Sequence, residues 1–248
     1  MSALFLALAA GGVVGLALGA LGGGGSILAV PVLIYLLGFS PAAATTAALL
    51  IVTATSATAL YAHSRAGNVR WRTGALFAAA GVLPAAAAGA AAARLPQHVL
   101  TAAFAAVAGL AAVRMLAPAR TTAQAPAERP LKAAGAGAGL GALTGLLGVG
   151  GGFLAVPALV TILGFEMQAA VGTSLLVISA NAIASLVTRG STAAGLDWAI
   201  IAPFIATAVL GAWDGRRLAA KVSGTVLRRT FASALLAVAA LMLLDVLT

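Results

Sequence analysis

Apolar residues run along this chain in long, nearly unbroken blocks, with the polar positions gathered between them. No Asp, Glu, Lys, Arg or His occurs from Met1 to Tyr61, a run far longer than the ~20 residues that one helix needs to cross a bilayer. Five apolar blocks fill each half. They cover Ala3–Leu21, Ile27–Leu37, Pro41–Ala62, Thr73–Ala93 and Val99–Val113 in the first half. In the second they cover Ala133–Leu147, Phe153–Leu163, Met167–Thr188, Trp198–Trp213 and Thr230–Leu244. Their continuity predicts helices and excludes the alternating pattern of an outer-membrane barrel. The predicted fold class is an all-α polytopic membrane protein. The second block of each half holds about 11 residues, roughly 16 Å at 1.5 Å per residue, which is half a bilayer. Each half is expected to open with two blocks joined at a glycine run, as a re-entrant hairpin or as a full helix followed by a broken one. Three transmembrane helices then follow.

The chain is written twice. Shifted by 126 positions, Ala10–Ala54 matches Ala136–Ala180 at 21 of 45 positions. Shared alanine and leucine inflate such a score, but ordered glycines and prolines do not arise that way. The matches include Gly15/Gly141, Gly19/Gly145, Gly22/Gly148, Gly24/Gly150, Gly25/Gly151, Pro31/Pro157 and the pair Gly38–Phe39 with Gly164–Phe165. After a one-residue slip, "AGNVRW" (Ala66–Trp71) meets "AAGLDW" (Ala193–Trp198). The duplication predicts a first membrane repeat over 1–116, a cytoplasmic linker over 117–132 and a second repeat over 133–248. The linker is rich in proline, alanine and charge, as a mobile connection would be. Because each half makes an odd number of net crossings, the two repeats are expected to be inverted relative to one another.

Charge tests that inversion. The chain carries 14 Lys and Arg against 5 Asp and Glu, a net charge of +9. These cations lie between apolar blocks, where the positive-inside rule uses them, so they do not point to nucleic acid. A cytoplasmic linker places Arg65, Arg70, Arg72, Arg114, Arg120, Arg129, Lys132, Arg216, Arg217, Lys221, Arg228 and Arg229 inside, leaving only Arg94 and Arg189 outside. That is 12 of 14 on one side, with both termini in the periplasm. Trp71 and Trp198 stand at matching block starts, where aromatic rings anchor at headgroups. The segment Met1–Gly12 lacks a basic n-region, and its counterpart in the second half predicts that it is retained as structure. Composition agrees with a bilayer environment: 62% of residues are hydrophobic and 8% charged, with a mean hydropathy of +1.11. There is no cysteine, hence no disulfide framework, thiol redox centre or cysteine-ligated metal.

The glycines carry two patterns. "GLALG" (Gly15–Gly19) and "GALTG" (Gly141–Gly145) have the small-xxx-small spacing that lets helix backbones approach closely. The runs Gly22–Gly25 and Gly148–Gly152, interrupted only by Val149, cover every face of a helix and so break it. A surface turn is one reading of such a break. The functional reading is a discontinuous membrane helix whose new N-terminus, at Ser26 or Gly152, presents free N–H groups and the positive end of its dipole to an anion. Inverted-repeat transporters bind substrate at breaks of this kind. Gly24, Gly25 and Ser26 are thus expected to converge near midplane with Gly150, Gly151 and Gly152 on one small anion. Thr45, Thr46, Thr173, Ser174 and Asn181 are the candidate polar groups beside them, Asn181 being the costliest to bury. Valine at Gly151 should block the backbone approach, whereas alanine at the packing position Gly141 should be milder.

Glycine-rich turn, short helix, "VP", "GF" and a following small-residue helix with "GTSLLVI" (Gly172–Ile178) resemble the TauE/SafE family of sulfite and sulfonate exporters. The resemblance covers essentially the whole chain. It implies export of small sulfur-containing anions across a bacterial inner membrane. The first half departs from the motif, with "TTAALLI" (Thr45–Ile51) where the second has "VGTSLLV" (Val171–Val177).

Other function classes fare less well. His63, His98 and all five acidic residues lie near block ends, so no nucleophile–base pair, acid pair or metal-ligand set is apparent for an enzyme, and no cofactor is expected. A passive small-anion channel is the alternative that the same breaks would serve. His63 and Arg65 read as interfacial anchors at a cytoplasmic edge. No Asp or Glu lies in the apolar core, where proton or sodium coupling commonly places one. A cytoplasm-negative potential expels anions at ~2.3 kcal/mol per charge per 100 mV, which would suffice for uniport. The expected partners are the anion and the bilayer; the sequence does not fix an oligomeric state.

Overall fold

The computed structural model describes residues 2–22, 26–92, 96–117, 130–147, 152–188 and 196–247. Among them are ten α-helices and one π-helical turn: α1 (Ser2–Leu21), α2 (Ser26–Pro31) running into the π turn Val32–Leu36, α3 (Pro41–Arg65), α4 (Trp71–Ala92) and α5 (Gln97–Leu116). The second half supplies α6 (Pro130–Leu147), α7 (Gly152–Thr161), α8 (Met167–Thr188), α9 (Trp198–Lys221) and α10 (Gly224–Leu247). Five helices are long and apolar enough to cross a membrane: α1, α3, α8, α9 and α10. The protein is an all-helical, multi-pass membrane protein. Its apolar side chains face outward as well as inward, with Phe5, Leu83, Leu210 and Leu241 all exposed, as contact with hydrocarbon requires.

The repeated sequence signals have local causes. In "GF", Gly38 and Gly164 take φ +71° and +70°, a left-handed conformation that glycine adopts without a Cβ penalty. Each ends a short helix: the N–H of Phe39 donates to Leu33 O at 3.0 Å, and that of Phe165 to Leu159 O at 3.0 Å. The bond spans one residue more than that of a Schellman cap and likewise satisfies a carbonyl the helix leaves free. Pro31 removes an amide donor, and the backbone continues as a π turn. Ser40 then caps α3 by accepting from Ala43 N at 3.4 Å, with Pro41 at the first helical position. Asp197 caps α9 through a bond from Ala199 N at 3.1 Å.

Packing exchanges helices between halves. α1 lies along α9 and α6 along α4, the two most extensive helix pairs. Gly11, Gly15 and Gly19 meet the backbone of Phe204, Ala208 and Ala212 in turn, so α1 and α9 run parallel. Gly211 and Gly215 return the contact on Gly12 and Leu16. In the other pair Gly137 meets Phe77 and Gly141 meets Gly81, again in parallel. A shift of 126 carries Gly11 and Gly15 onto Gly137 and Gly141, and one of 127 carries Phe77 and Gly81 onto Phe204 and Ala208. At all these sites a Cβ would strike backbone, so alanine at Gly141 would press the paired helices apart. The two backbones are already in contact there.

The long helices α3 and α8 pack together, with Ser179 Oγ donating to Ser56 Oγ at 2.9 Å. α2 packs on α3, α7 on α8, and the short helices α2 and α7 touch one another. α5 pairs with α10, where Arg228 Nη2 donates to Ala117 O at 2.8 Å. One end of the bundle therefore gathers the ends of α3, α5 and α9 with the starts of α4, α8 and α10. It carries Arg65, Arg70, Arg72, Arg114, Arg216, Arg217, Lys221, Arg228 and Arg229.

Candidate functional site

The motif "GTS" (Gly172–Ser174) sits one to two turns into α8, and each of its residues meets a different neighbour. A Cβ on Gly172 would lie 2.6 Å from Asn68 O, so only glycine admits the α3–α4 loop this close. Thr173 Oγ1 accepts from Arg70 N at 3.1 Å, and its methyl would lie 3.0 Å from a Cβ on Gly74. Ser174 faces the end of α1, where a Cβ on Gly22 would lie 2.8 Å from Ser174 Oγ and 3.2 Å from Val171 Cγ1. Gly22 itself takes φ +66° as the chain leaves α1. The first glycine run of one half thus begins against the long helix of the other.

Hydrogen bonding sorts the candidate hydroxyls. Ser174 Oγ donates to Val171 O at 2.8 Å, Thr55 Oγ1 to Ile51 O at 2.6 Å and Thr53 Oγ1 to Leu49 O at 2.7 Å. Their protons are spent on their own helix, leaving only acceptor capacity, which an anion cannot use. Thr173 is bound as an acceptor. Thr46 is buried and Thr45 half-buried on α3, both with interactions of their own; Asn181 is half-buried on α8, about two turns beyond Ser174. Ser26 and Gly152 begin α2 and α7, as their positions after the glycine runs predict. Gly24, Gly25, Gly150 and Gly151 lie outside the described residues.

His63 departs from expectation. It is 3% exposed, packed under α1 with Nε2 3.4 Å from Gly19 O, and its Nδ1 is buried without a partner. It is no interfacial anchor. It forms a wall of a cavity of about 150 Å³ together with Asn68, Gln168, Val171 and Arg216. These residues come from the ends of α3 and α9, the start of α8 and the loop before α4. Hydropathy hid them because each stands at the boundary of an apolar block, where polar residues are unremarkable. The available signal was the only histidine among the first 97 residues, His63, placed directly after the long uncharged stretch that ends at Ala62.

A bundle of apolar-faced helices with its cations gathered at one end defines an integral membrane protein. The chain belongs to the Sulfite exporter TauE/SafE family, which it matches over residues 7–242. It is 32% identical over 247 residues to a protein of Xylella fastidiosa (strain 9a5c) named "Probable membrane transporter protein", covering 96% of this chain and 94% of that one. A protein of the same name from strain Temecula1 / ATCC 700964 is 31% identical over equal shares. No solved structure matches the chain.

Proposed function

We propose that the protein exports small sulfur-containing anions (sulfite, thiosulfate or organosulfonates) across a bacterial inner membrane by alternating access between two inverted repeats. Family membership supports the substrate class. The observation that carries the mechanism is the exchange of α1 and α6 between halves, with equivalent glycines at equivalent contacts. Two repeats related by an axis in the membrane plane would pack in this way. Contact between α2 and α7 supports a meeting of the two short helices.

In this reading Gly24, Gly25, Ser26, Gly150, Gly151 and Gly152 offer backbone N–H groups to the anion. Asn181, Thr45 and Thr46 line its approach. Thr173 and Ser174 hold the α3–α4 loop and the first glycine turn in place. The site needs no buried cation, so it binds weakly enough to release its cargo. The test is uptake of radiolabelled sulfite, thiosulfate, sulfate and taurine by proteoliposomes containing the purified chain. Sulfite, thiosulfate or a sulfonate should be moved in preference to sulfate; indifference among all four, or no movement, would refute the assignment.

A further inference from the structure

A small cavity lies at the basic end of the bundle, beside the first glycine turn. Its volume of about 150 Å³ equals about five waters at ~30 Å³ each, enough for a three- or four-oxygen anion with a little of its hydration. The polar residues that line it are Arg216, Asn68, Gln168 and His63. Among the described residues no carboxylate lines it. Among the described residues the single ion pair is Arg217 with Asp214, so Arg216 has no carboxylate partner there.

An unpaired guanidinium flanked by amide donors in a partly desolvated pocket is suited to an oxyanion, since its planar fork of N–H groups matches two oxygens at once. The walls are fixed in advance. The N–H groups of Ala66 and Asn68 both donate to His63 O, at 3.2 and 3.1 Å, and Gly67 N donates to Ser64 O at 3.0 Å. The inner wall reaches the transport path: Val171 lines the cavity and also contacts Gly22, while His63 contacts Gly19 O.

We infer that this cavity, bounded by His63, Asn68, Gln168 and Arg216, is a cytoplasmic antechamber that captures a small sulfur oxyanion before it reaches the first glycine turn. The inference rests on the transport reading above and adds to it a capture site. The same chemistry would hold the phosphate of a lipid headgroup, so the experiment separates the two sources.

Calorimetric titration of the full chain in lipid-free detergent with sodium sulfite, beside sodium chloride at equal ionic strength, should show saturable sulfite binding. Arg216→Gln should weaken that binding at least tenfold, and Gln168→Leu severalfold. Arg217→Gln, on the exposed neighbour, should leave it unchanged. In proteoliposomes Arg216→Gln should raise the half-saturating sulfite concentration by a similar factor with the maximal rate within twofold. Unaltered half-saturation in a folded Arg216→Gln protein overturns the antechamber. Should that variant fail to fold, unaltered half-saturation in Gln168→Leu overturns it instead. Binding of short-chain phosphatidic acid with no response to sulfite overturns it in favour of a lipid. Arg216-dependent sulfite binding by a chain that moves no anion upholds the cavity site and refutes the transport reading alone.

Discussion

A glycine that touches a neighbouring backbone and one that faces open space answer differently to the same methyl group. Gly15 and Gly141 lie against Ala208 and Gly81, whereas a Cβ on Gly139, about half a turn of α6 from Gly137 and from Gly141 and so on the opposite face, meets nothing within 4 Å. Gly15→Ala and Gly141→Ala should therefore force the paired helices apart, costing on the order of 1–3 kcal/mol or more. Gly139→Ala should be neutral or stabilising by roughly 1 kcal/mol, the helix-propensity difference. Yield of monodisperse protein and its thermal midpoint in detergent will show the order. Thr173 is a second residue-scale case. Thr173→Val keeps the shape but leaves Arg70 N without its acceptor, a loss of about 0.5–1.5 kcal/mol for a part-buried hydrogen bond. Thr173→Ser should restore the bond and most of the stability; loss in Thr173→Ser with none in Thr173→Val would show that the methyl group at Gly74, not the hydroxyl, is what matters.

At the scale of elements, the apolar blocks marked the helices well where hydrophobicity and helix share an end. Met167–Thr188 is both the block and α8. They part where a helix leaves the hydrocarbon: α9 continues eight residues past Trp213 to Lys221, through Asp214, Arg216 and Arg217. Alanine, leucine and the basic residues keep it helical there without any apolar run. The short helices are also as expected, but the partner of each glycine is a tertiary fact that no local pattern holds. The same is true of His63, which looks like a headgroup residue in sequence and is buried only because α1 lies over it. Functional predictions at this scale concern the breaks. Gly151→Val should abolish transport while the protein remains folded and keeps its Arg216-dependent sulfite binding. Asn181→Leu should lower transport at least severalfold with yield nearly unchanged; parallel loss of yield and transport would assign Asn181 to packing.

For the whole molecule, the duplication was legible from ordered glycines and prolines, but the way the repeats interlock was not. Small-xxx-small spacing says that a helix packs closely and leaves its partner open, and here the partner comes from the other half. The packing does gather nine cations at one end of the bundle, the end that the charge bias assigns to the cytoplasm. A reporter active only in the cytoplasm should accordingly be silent when fused after Thr248 and active when inserted in the 117–132 linker. Signal at the C-terminus would refute the inverted arrangement.

The central claim is that this chain carries a sulfur anion by exposing one site alternately to each side. Counterflow tests it most directly. Proteoliposomes loaded with unlabelled sulfite and diluted into trace radiolabelled sulfite should accumulate label transiently above its equilibrium level, because each return of the carrier brings labelled anion inward. Label that rises only to equilibrium without overshoot would mark a channel, and label that does not enter would contradict sulfite transport altogether.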